Sequence, residues 1–461
     1  MTTATLASSV ERDESVRRAY SADASGLVMV PEGVARPTSA ADVAALLAEA
    51  SANGTAVTCA GGQTSTTGAS ISDKGIVLSL RGMDRVLELD PKARIVRAEP
   101  GVFIGELKRA CAAQGLLLAP DPTSEEECTV GGAVACNASG ARSLRYGATR
   151  SHVRALKVAL ADGSLVELRR PSLEKNTVGY ALAHDPVDWF VGSEGTLGVV
   201  VEVELGLLPL PEEVVGLAIP FAAEQDALDF VVAARESRKV HPRCLEFFDR
   251  RALAIAREAE STPGWAKDAD AFVYVEEVPP QSTAPALDEW LELAEQRGAL
   301  VDDVNVYEGE ASLREARRVR HAVPATMNER GSLRRPHGGR KVSTDWAVPY
   351  TRLGEMLAKA RTFADVAGIE QAVTYGHAGN GHPHQNFIAH DGDELRRIEA
   401  VVEETLREAI AMGGTVAAEH GIGKIKRRWL PMQMSPLQVR GMLAMKRELD
   451  PAGILAPGNV L

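Results

Sequence analysis

The chain has few cysteines and no long apolar run. Its five cysteines lie at positions 59, 111, 128, 136 and 244 without a CxxC pair. This spacing predicts reduced, mostly buried thiols, with neither a disulfide framework nor a cysteine-ligated iron–sulfur cluster. No run of ~18 apolar residues occurs, and the N-terminus lacks a signal-peptide core. We therefore expect a cytoplasmic protein, with peripheral docking on the inner membrane left open.

The chain also has fewer basic than acidic residues. Lys and Arg total 51 against 63 Asp and Glu, which gives a formal net charge of −12. An acidic balance argues against a nucleic-acid partner, because binding to the phosphate backbone needs clustered basic residues. The length of 461 residues allows two to three domains of roughly 150 residues each. The sequence thus predicts a multidomain globular protein that acts on something other than nucleic acid.

The apolar pattern predicts mixed helices and strands, which is an α+β class. A helix is expected over 38–54, because Ser39 can cap its start and Gly54 can end it. A β-hairpin is expected over 153–168 around an Asp-Gly turn, and a strand over 196–208. Prolines at 209 and 211 mark a domain boundary. Later helices are expected over 222–239, 283–297, 352–367 and 435–449.

Three glycine-rich segments stand out in the first half of the chain. They are GGQTS at 61–65, TVGGAVACNASG at 129–140 and GSEGTLG at 192–198. Glycine lets backbone N–H groups approach a phosphate closely, and successive N–H groups form an anion nest. No GxxxxGK[ST] is present, and no segment reads GxGxxG at a strand-to-helix turn, which argues against P-loop and Rossmann sites. The segments indicate a large cofactor lying across several loops, with tight structural turns as the alternative.

Histidine is concentrated in YGHAGNGHPHQN at 375–386, which contains His377, His382 and His384. Farther on, AAEHGIGK at 417–424 places Glu419 beside His420. The spacing fits neither a zinc finger nor an HExxH metalloprotease. Imidazoles and a carboxylate together can bind a metal ion, transfer a proton, or do both. A metallohydrolase built on these residues alone would leave the glycine segments unexplained.

Taken in order, these motifs resemble a known family. The first glycine loop is followed by PDPTS at 120–124, the TVGG block ending in RYG, GSEGTLG, the two histidine segments and a terminal DPxxxLxPG. Over residues 30–461 the chain resembles the FAD-linked oxidases of the vanillyl-alcohol oxidase/p-cresol methylhydroxylase superfamily. Within it, the chain looks most like the D-2-hydroxyacid dehydrogenases, which include D-lactate dehydrogenases and the flavin subunit of glycolate oxidase.

The resemblance implies an α+β fold with a two-subdomain FAD-binding domain over 1–209 and a substrate (cap) domain over 210–424. A tail over 425–461 is expected to return to the FAD domain and complete its site. The resemblance also implies the residues that would contact FAD, from pyrophosphate through flavin ring to adenosine half. They are Gly61, Gly62, Gln63, Thr64, Ser65, Pro120, Thr123, Gly131, Gly132, Ala135, Asn137, Val199 and Val200.

The resemblance further implies a divalent metal, expected to be zinc, with His377, His384 and Glu419 as ligands and His420 as the general base. Two departures from the family pattern GHxGDGNxHxN occur, since Asn380 replaces its Asp and His382 its Asn. Both changes bear on substrate choice more than on reaction type. For His382 the interpretation as a core or supporting histidine is preferred to that of a further ligand.

The resemblance also implies that Arg320 and Lys341 bind the substrate carboxylate, with Asn386 as a further candidate. Arg can bind a carboxylate through two N–H groups, and Lys adds a point charge. For Arg320 the alternative is a surface charge, because other arginines crowd the same predicted helix. His152 could suggest a covalent flavin link, but the resemblance favours FAD bound noncovalently.

The expected activity is FAD-dependent oxidation of a D-2-hydroxy acid of the D-lactate, glycolate or 2-hydroxyglutarate class. Electrons would pass to a quinone, a cytochrome or an electron-transfer protein. The alternatives are a sugar or aldonolactone oxidase, an alkylglycerone-phosphate-synthase-like transferase, and a flavin subunit active only in a larger complex with a separate iron–sulfur subunit. A homodimer is compatible with the sequence, which leaves the oligomeric state open.

Overall fold

The computed structural model describes residues 9–259, 264–278 and 287–461, and the chain divides into two compact units. The first unit comprises Met1–Gly140, Tyr146–Leu210 and Glu419–Leu461. The second comprises Ala141–Arg145 and Pro211–Ala418. The division into 1–209, 210–424 and 425–461 that the sequence suggested stays a prediction.

The N-terminal part of the first unit contains two larger sheets, a two-stranded sheet and several helices. Its strands are β1 Val10–Glu11, β2 Gly33–Ala35, β3 Val57–Ala60, β4 Ile76–Ser79, β5 Val86–Asp90, β6 Ile95–Ala98, β7 Leu116–Leu117, β8 Val153–Ala159, β9 Leu165–Arg169, β10 Val199–Gly206 and β11 Leu208–Pro209. The helices along this part of the chain are α1 Glu14–Ala19, α2 Ala40–Asn53, α3 Ile104–Ala112, α4 Val130–Cys136, α5 Ser143–Tyr146 and α6 Val187–Phe190, and all of α5 except Tyr146 belongs to the second unit.

One sheet has the order β1-β2-β4-β3, with β2, β4 and β3 parallel. Helix α2 packs its apolar residues into the core of this sheet, and it begins and ends as predicted, with Ser39 as N-cap and Gly54 left-handed. The other sheet is antiparallel in the order β5-β6-β10-β8-β9. The predicted hairpin is its β8–β9 pair. The two sheets correspond to the two subdomains that the fold prediction required.

The second unit is a seven-stranded sheet with helices. Its strands are β12 Val215–Phe221, β13 Pro242–Phe248, β14 Ala271–Glu277, β15 Asn305–Glu308, β16 Gly338–Ser343, β17 Val373–His377 and β18 His382–Asp391. Its helices are α7 Glu224–Glu236, α8 Arg250–Ala259, α9 Leu287–Glu295, α10 Gly309–Ser332, α11 Leu353–Val366 and α12 Gly392–Ala411. The strand order is β15-β12-β14-β13-β17-β18-β16. This order brings β13 beside the hairpin that carries the histidine segment.

The C-terminal segment belongs to the first unit. After α13 Leu430–Gln433 and α14 Pro436–Leu449, Leu455 forms a parallel bridge to Val57 of β3 and is buried in the α2 core. Asn459 then donates from Nδ2 to the carbonyl oxygen of Ala69 at 2.8 Å. The α+β fold and the return of the tail are therefore confirmed.

Several elements differ from the sequence prediction. The second glycine segment contains helix α4 rather than the tight turn that was the alternative, because the Thr129 hydroxyl caps its start by accepting from Gly132 N–H at 3.3 Å. Of α10 only a helix around Arg320 was predicted, and α12 was not predicted. The helix predicted over 283–297 is seen as α9, and residues 283–286 lie outside the described residues.

Among the residues that the structure describes, none of the helices combines the length and apolar character needed to cross a membrane.

Candidate active site

The predicted histidine segment forms the β17–β18 hairpin of the second unit. Across it, His377 pairs with His382 and Tyr375 pairs with His384. Directly opposed residues of an antiparallel pair point to the same side of the sheet, as do alternate residues of one strand. The three histidines therefore share one face, and their ring centroids lie between 4.8 and 5.7 Å apart. Ring nitrogens of His377 and His384 lie within 4.8 Å of each other.

The ring of His377 is held by a buried carboxylate on the neighbouring strand β13. Its Nδ1 lies 2.6 Å from Oε1 of Glu246, and the exposed fraction of the Glu246 residue is 1%. The other carboxylate oxygen accepts from Nε and Nη2 of Arg320 on α10, at 2.8 and 2.7 Å. Burial alone would raise the pKa of Glu246, but the charge of Arg320 and the hydrogen bond from His377 lower it to about 2. Glu246 is therefore an ionised hydrogen-bond acceptor.

The other two histidines of the segment have different surroundings. The His382 ring is buried, and its Nδ1 lies 2.8 Å from the carbonyl oxygen of Trp346. The His384 ring is half-buried and lies against Tyr375, with centroids 5.7 Å apart. Burial raises the pKa of the Tyr375 phenol to about 12, so this group stays protonated. The ring and the protonated hydroxyl of Tyr375 thus lie next to His384 on this face.

The predicted carboxylate-binding residues lie farther along the same face. Lys341 and Ser343 of β16 oppose Ile388 and Asn386 of β18 in the register. The Ser343 hydroxyl donates to Oδ1 of Asn386, whose exposed fraction is 2%. Lys341 Nζ donates to Oδ1 of Asn328 on α10 at 2.5 Å, and burial lowers the pKa of this lysine. Lys341 and Asn386 come together with the histidine hairpin in the second unit, whereas Arg320 is bound to Glu246.

In the first unit, the first two glycine segments pack directly on each other. Loop 61–65 follows β3, and a Cβ atom at Gly61 would overlap the Thr129 hydroxyl. A Cβ at Gly62 would overlap the carbonyl oxygen of Glu127, and one at Gly131 would lie 2.5 Å from Cβ of Pro100. These three positions therefore require glycine for close backbone approach.

Gly132 differs from these packed glycines. A Cβ there would meet only the Thr129 hydroxyl, at 3.3 Å. This side of α4 thus has room beside it. Residues of the third segment join the far end of α4, since Gly192 N–H donates to Val134 O at 3.0 Å and Glu194 N–H to Ala135 O at 2.9 Å. The convergence of small residues, hydroxyls and backbone N–H groups fits an extended phosphate-bearing cofactor such as FAD.

The remaining predicted cofactor residues are spread over the same unit. Asn137 ends α4 in the left-handed conformation, and its Oδ1 accepts from Arg150 N–H at 2.9 Å. Pro120 is buried and Thr123 exposed in the loop before α4, and Gln63 donates to Ala22 O at 2.8 Å. Val199 and Val200 are buried in β10, paired with Ala159 and Val158. His152 is buried with Nε2 2.9 Å from Tyr146 O, and burial lowers its pKa.

The second histidine segment is tied into the first unit by Glu194 of the third glycine segment. Glu194 accepts from the N–H groups of Ile422 and Gly423 at 2.6 and 2.7 Å. Thr67 donates to the His420 carbonyl oxygen at 3.4 Å, and the His420 side chain is 27% exposed. Glu419 accepts from the Ser139 hydroxyl at 3.4 Å. These contacts leave the His420 ring accessible while its backbone is held.

Sequence reasoning missed two carboxylates, Glu246 and Glu194. Glu246 sits in the apolar stretch CLEFF, and an acid inside such a strand signals a buried, paired group. Glu194 sits in the recognised GSEGTLG segment and has a positive φ of 51°. Burial raises its pKa, and the two backbone N–H groups oppose that change. The sequence showed that Glu246 lies in an apolar strand. It did not show which residues Glu246 and Glu194 would bind.

Comparisons with known proteins agree with this geometry. The FAD binding domain family matches residues 31–169, and the C-terminal domain of FAD linked oxidases matches residues 210–460. The chain is 32% identical to a D-lactate dehydrogenase from Archaeoglobus fulgidus over 93% of this chain and 91% of that protein. It is 31% identical to the glycolate oxidase subunit GlcD from Bacillus subtilis, covering 96% and 92%.

A further relative is a D-2-hydroxyglutarate dehydrogenase from Stutzerimonas stutzeri, 28% identical over 93% of this chain and 91% of that protein. Among solved structures, an alkyldihydroxyacetonephosphate synthase superposes with a TM-score of 0.73 at 17% identity, covering 98% of this chain and 82% of that one. This last likeness shows the fold alone. Together with the two matched domains, the comparisons show that the chain is an FAD-binding enzyme that belongs to the FAD-linked oxidases.

Proposed function

We propose that this protein oxidises a small D-2-hydroxy acid to the 2-oxo acid, with FAD as cofactor and a divalent cation, zinc by preference, at the substrate. The observation that carries the proposal is the histidine hairpin, on which His377 and His384 share a face with Asn386, beside Lys341 on the adjacent strand β16. Relatives named for D-lactate, glycolate and D-2-hydroxyglutarate support the substrate class.

The proposed metal ligands are His377, His384 and Glu419. Two imidazoles and one carboxylate form a donor set typical of catalytic sites that keep a position open. A bound cation would supply Lewis acidity toward the substrate hydroxyl. The chain's own contribution is to hold His377 through Glu246, whose Oε1 lies 2.6 Å from Nδ1 of this histidine.

The substrate carboxylate would be bound by Lys341 and Asn386, with Arg320 as a further donor. A guanidinium has five N–H donors, so binding Glu246 through Nε and Nη2 does not use them all. The Lys341 ammonium and the Asn386 amide would fix the acid's orientation. Half-buried surroundings strengthen these charge-assisted hydrogen bonds.

His420 would accept the hydroxyl proton, because a neutral imidazole is a suitable base near neutral pH. Bound FAD would supply the acceptor for the α-hydrogen. The glycine loops of the first unit, Gly61–Ser65 and Gly131–Asn137, would hold the cofactor's phosphates and ring. Hydroxyl deprotonation by His420 would prepare the α-carbon for loss of its hydrogen.

One alternative has specific support, namely a flavin subunit that works only in a complex, since the Bacillus subtilis relative is named as a subunit.

A dye-reduction assay distinguishes the proposed function from this alternative. The purified protein is mixed with an artificial electron acceptor and D-lactate, L-lactate, glycolate, D-2-hydroxyglutarate or an aldonolactone. We expect dye reduction with one or more D-2-hydroxy acids or glycolate. Turnover with the lactone alone would overturn the proposal, and activity restored only by an added electron-transfer subunit would favour the alternative.

A further inference from the structure

A buried carboxylate, Glu246, contacts one of the proposed metal ligands, and the proposed function uses it only to hold the His377 ring. Glu246 accepts from three directions: His377 Nδ1 at 2.6 Å, Arg320 Nε at 2.8 Å and Arg320 Nη2 at 2.7 Å. Its side chain is 1% exposed, and those of Arg320 and His377 are 13% and 5% exposed. Removing a charge of this kind from water is costly unless it is paired, and Arg320 provides that pairing.

The contact with Glu246 decides which nitrogen of His377 can bind a metal ion. A carboxylate at 2.6 Å requires Nδ1 to carry the proton and donate it, so the lone pair of the neutral ring lies on Nε2. The ring is also confined, since His382 and His384 lie 5.7 and 5.1 Å from its centroid. Carboxylates that accept from a ligating histidine fix its tautomer and orientation and increase its basicity.

We propose that Glu246, held by Arg320, is a positioning residue that presents Nε2 of His377 as a ligand and thereby sets the affinity of the protein for a divalent cation. This inference rests on metal binding by His377 in the proposed function. It goes beyond that function by assigning control of metal affinity to a residue that touches neither the substrate nor the metal.

The neighbouring strand provides a matched control. Glu276 on β14 is also 1% exposed and is bound by two arginines, with Nε of Arg142 at 2.9 Å and Nε of Arg243 at 2.7 Å from its Oε2. Its third partner is the Tyr274 hydroxyl at 3.0 Å, where Glu246 has His377. Glu276→Gln therefore removes a buried, arginine-paired charge from the same sheet without touching a histidine.

The test is a metal titration of the FAD-loaded protein after removal of bound metal with a chelator. Zn²⁺ is added in competition with a chromophoric chelator to wild type, Glu246→Gln and Glu276→Gln. We expect about 10–100-fold weaker Zn²⁺ binding for Glu246→Gln, the usual loss when such a partner is removed, and wild-type affinity for Glu276→Gln. Wild-type affinity in Glu246→Gln overturns the inference and leaves the proposed metal site intact. A wild-type protein that binds no Zn²⁺ overturns both.

A second measurement avoids any loss of folding in the Glu246 variant. Wild-type protein with ¹⁵N-labelled histidine is observed by NMR before and after Zn²⁺ addition, and the His377 signals are assigned by their absence in His377→Gln. We expect Nδ1 of His377 to remain protonated while the Nε2 signal shifts on metal binding. A metal-induced shift on Nδ1, with the proton on Nε2, would overturn the inference.

Discussion

At the scale of single residues, the candidate site depends on side chains that lie far apart in sequence. His377 and Glu246 are separated by 131 positions and meet because β13 lies next to β17. The histidines could be identified from the sequence, since three of them within eight residues are uncommon. The acid could not be assigned to them, because nothing in CLEFF specifies which strand lies alongside.

The role of His420 as base leads to a direct prediction. His420→Ala should lower kcat with the best D-2-hydroxy acid by about 10²–10⁴-fold, since that is the usual contribution of general base catalysis. FAD content and thermal stability should stay near those of wild type, because the backbone contacts of this residue persist. His390→Ala is the control, since His390 is exposed and bound to Glu394. Near-native turnover of the His420 variant would contradict the role.

A second residue-scale prediction concerns stability and pH. Burial would raise the pKa of Glu276, but Arg142 and Arg243 hold it well below the ordinary 4.5, so the folded protein keeps this group ionised. Glu276→Gln should cost about 3–5 kcal/mol of unfolding free energy at pH 7, because two arginines lose a buried partner.

The stability that Glu276 contributes is present above its unfolded pKa and is lost as the pH falls below about 4.5, since the unfolded chain then takes up a proton that the folded chain resists. The difference in unfolding free energy between wild type and Glu276→Gln should therefore shrink on acidification. Urea unfolding at pH 7 and at successively lower pH measures it, and a gap that widens would refute this account.

At the scale of elements, local sequence signals predicted those helices whose ends are set by capping residues. They failed for helices that depend on tertiary packing. Helix α2 was predicted to within two residues because a serine cap and a left-handed glycine define its ends. Helix α10 has no comparable signal, since it carries Pro324 in its interior and many charges. No helix was predicted in the second glycine segment, yet the Thr129 cap and the segment's alanines and valines support α4.

The packing of the glycine loops predicts two different outcomes for similar substitutions. Gly62→Ala would force its Cβ into the Glu127 carbonyl, so we expect at least about 1–3 kcal/mol of destabilisation and loss of FAD. Gly132→Ala meets only the Thr129 hydroxyl, so it should fold normally and bind FAD more weakly. Thermal unfolding and the ratio of flavin to protein absorbance distinguish the two. A Gly62→Ala protein with native stability and full FAD content would be inconsistent with this packing.

At the scale of the whole molecule, the chain combines an FAD-binding unit with a second unit built on a seven-stranded sheet. The order of motifs along the chain was enough to predict the family and the fold, because that series of glycine and histidine segments resembles a known family. The substrate side chain was not predictable, since the residues that would contact it lie outside those motifs. The sequence motifs and the fold therefore agree on an FAD-linked oxidase, and they do not specify its substrate.

Removal of the divalent cation tests the metal part of the proposal on the intact protein. Dialysis against a strong chelator should abolish most turnover of a D-2-hydroxy acid while leaving FAD bound, because the proposed ligands and the glycine loops are different residues. Adding back Zn²⁺, Mn²⁺ or Co²⁺ should restore activity. Full activity in protein shown by elemental analysis to be free of metal would exclude a metal role.

The most direct test of the central claim is an anaerobic visible spectrum of the FAD-loaded protein before and after adding paired D- and L-2-hydroxy acids. We predict that the flavin band bleaches with at least one D-acid and stays unchanged with its L-enantiomer, because the substrate transfers its α-hydrogen to the flavin. A band that no 2-hydroxy acid bleaches, or that only an L-acid bleaches, would contradict the assignment as a D-2-hydroxy acid dehydrogenase.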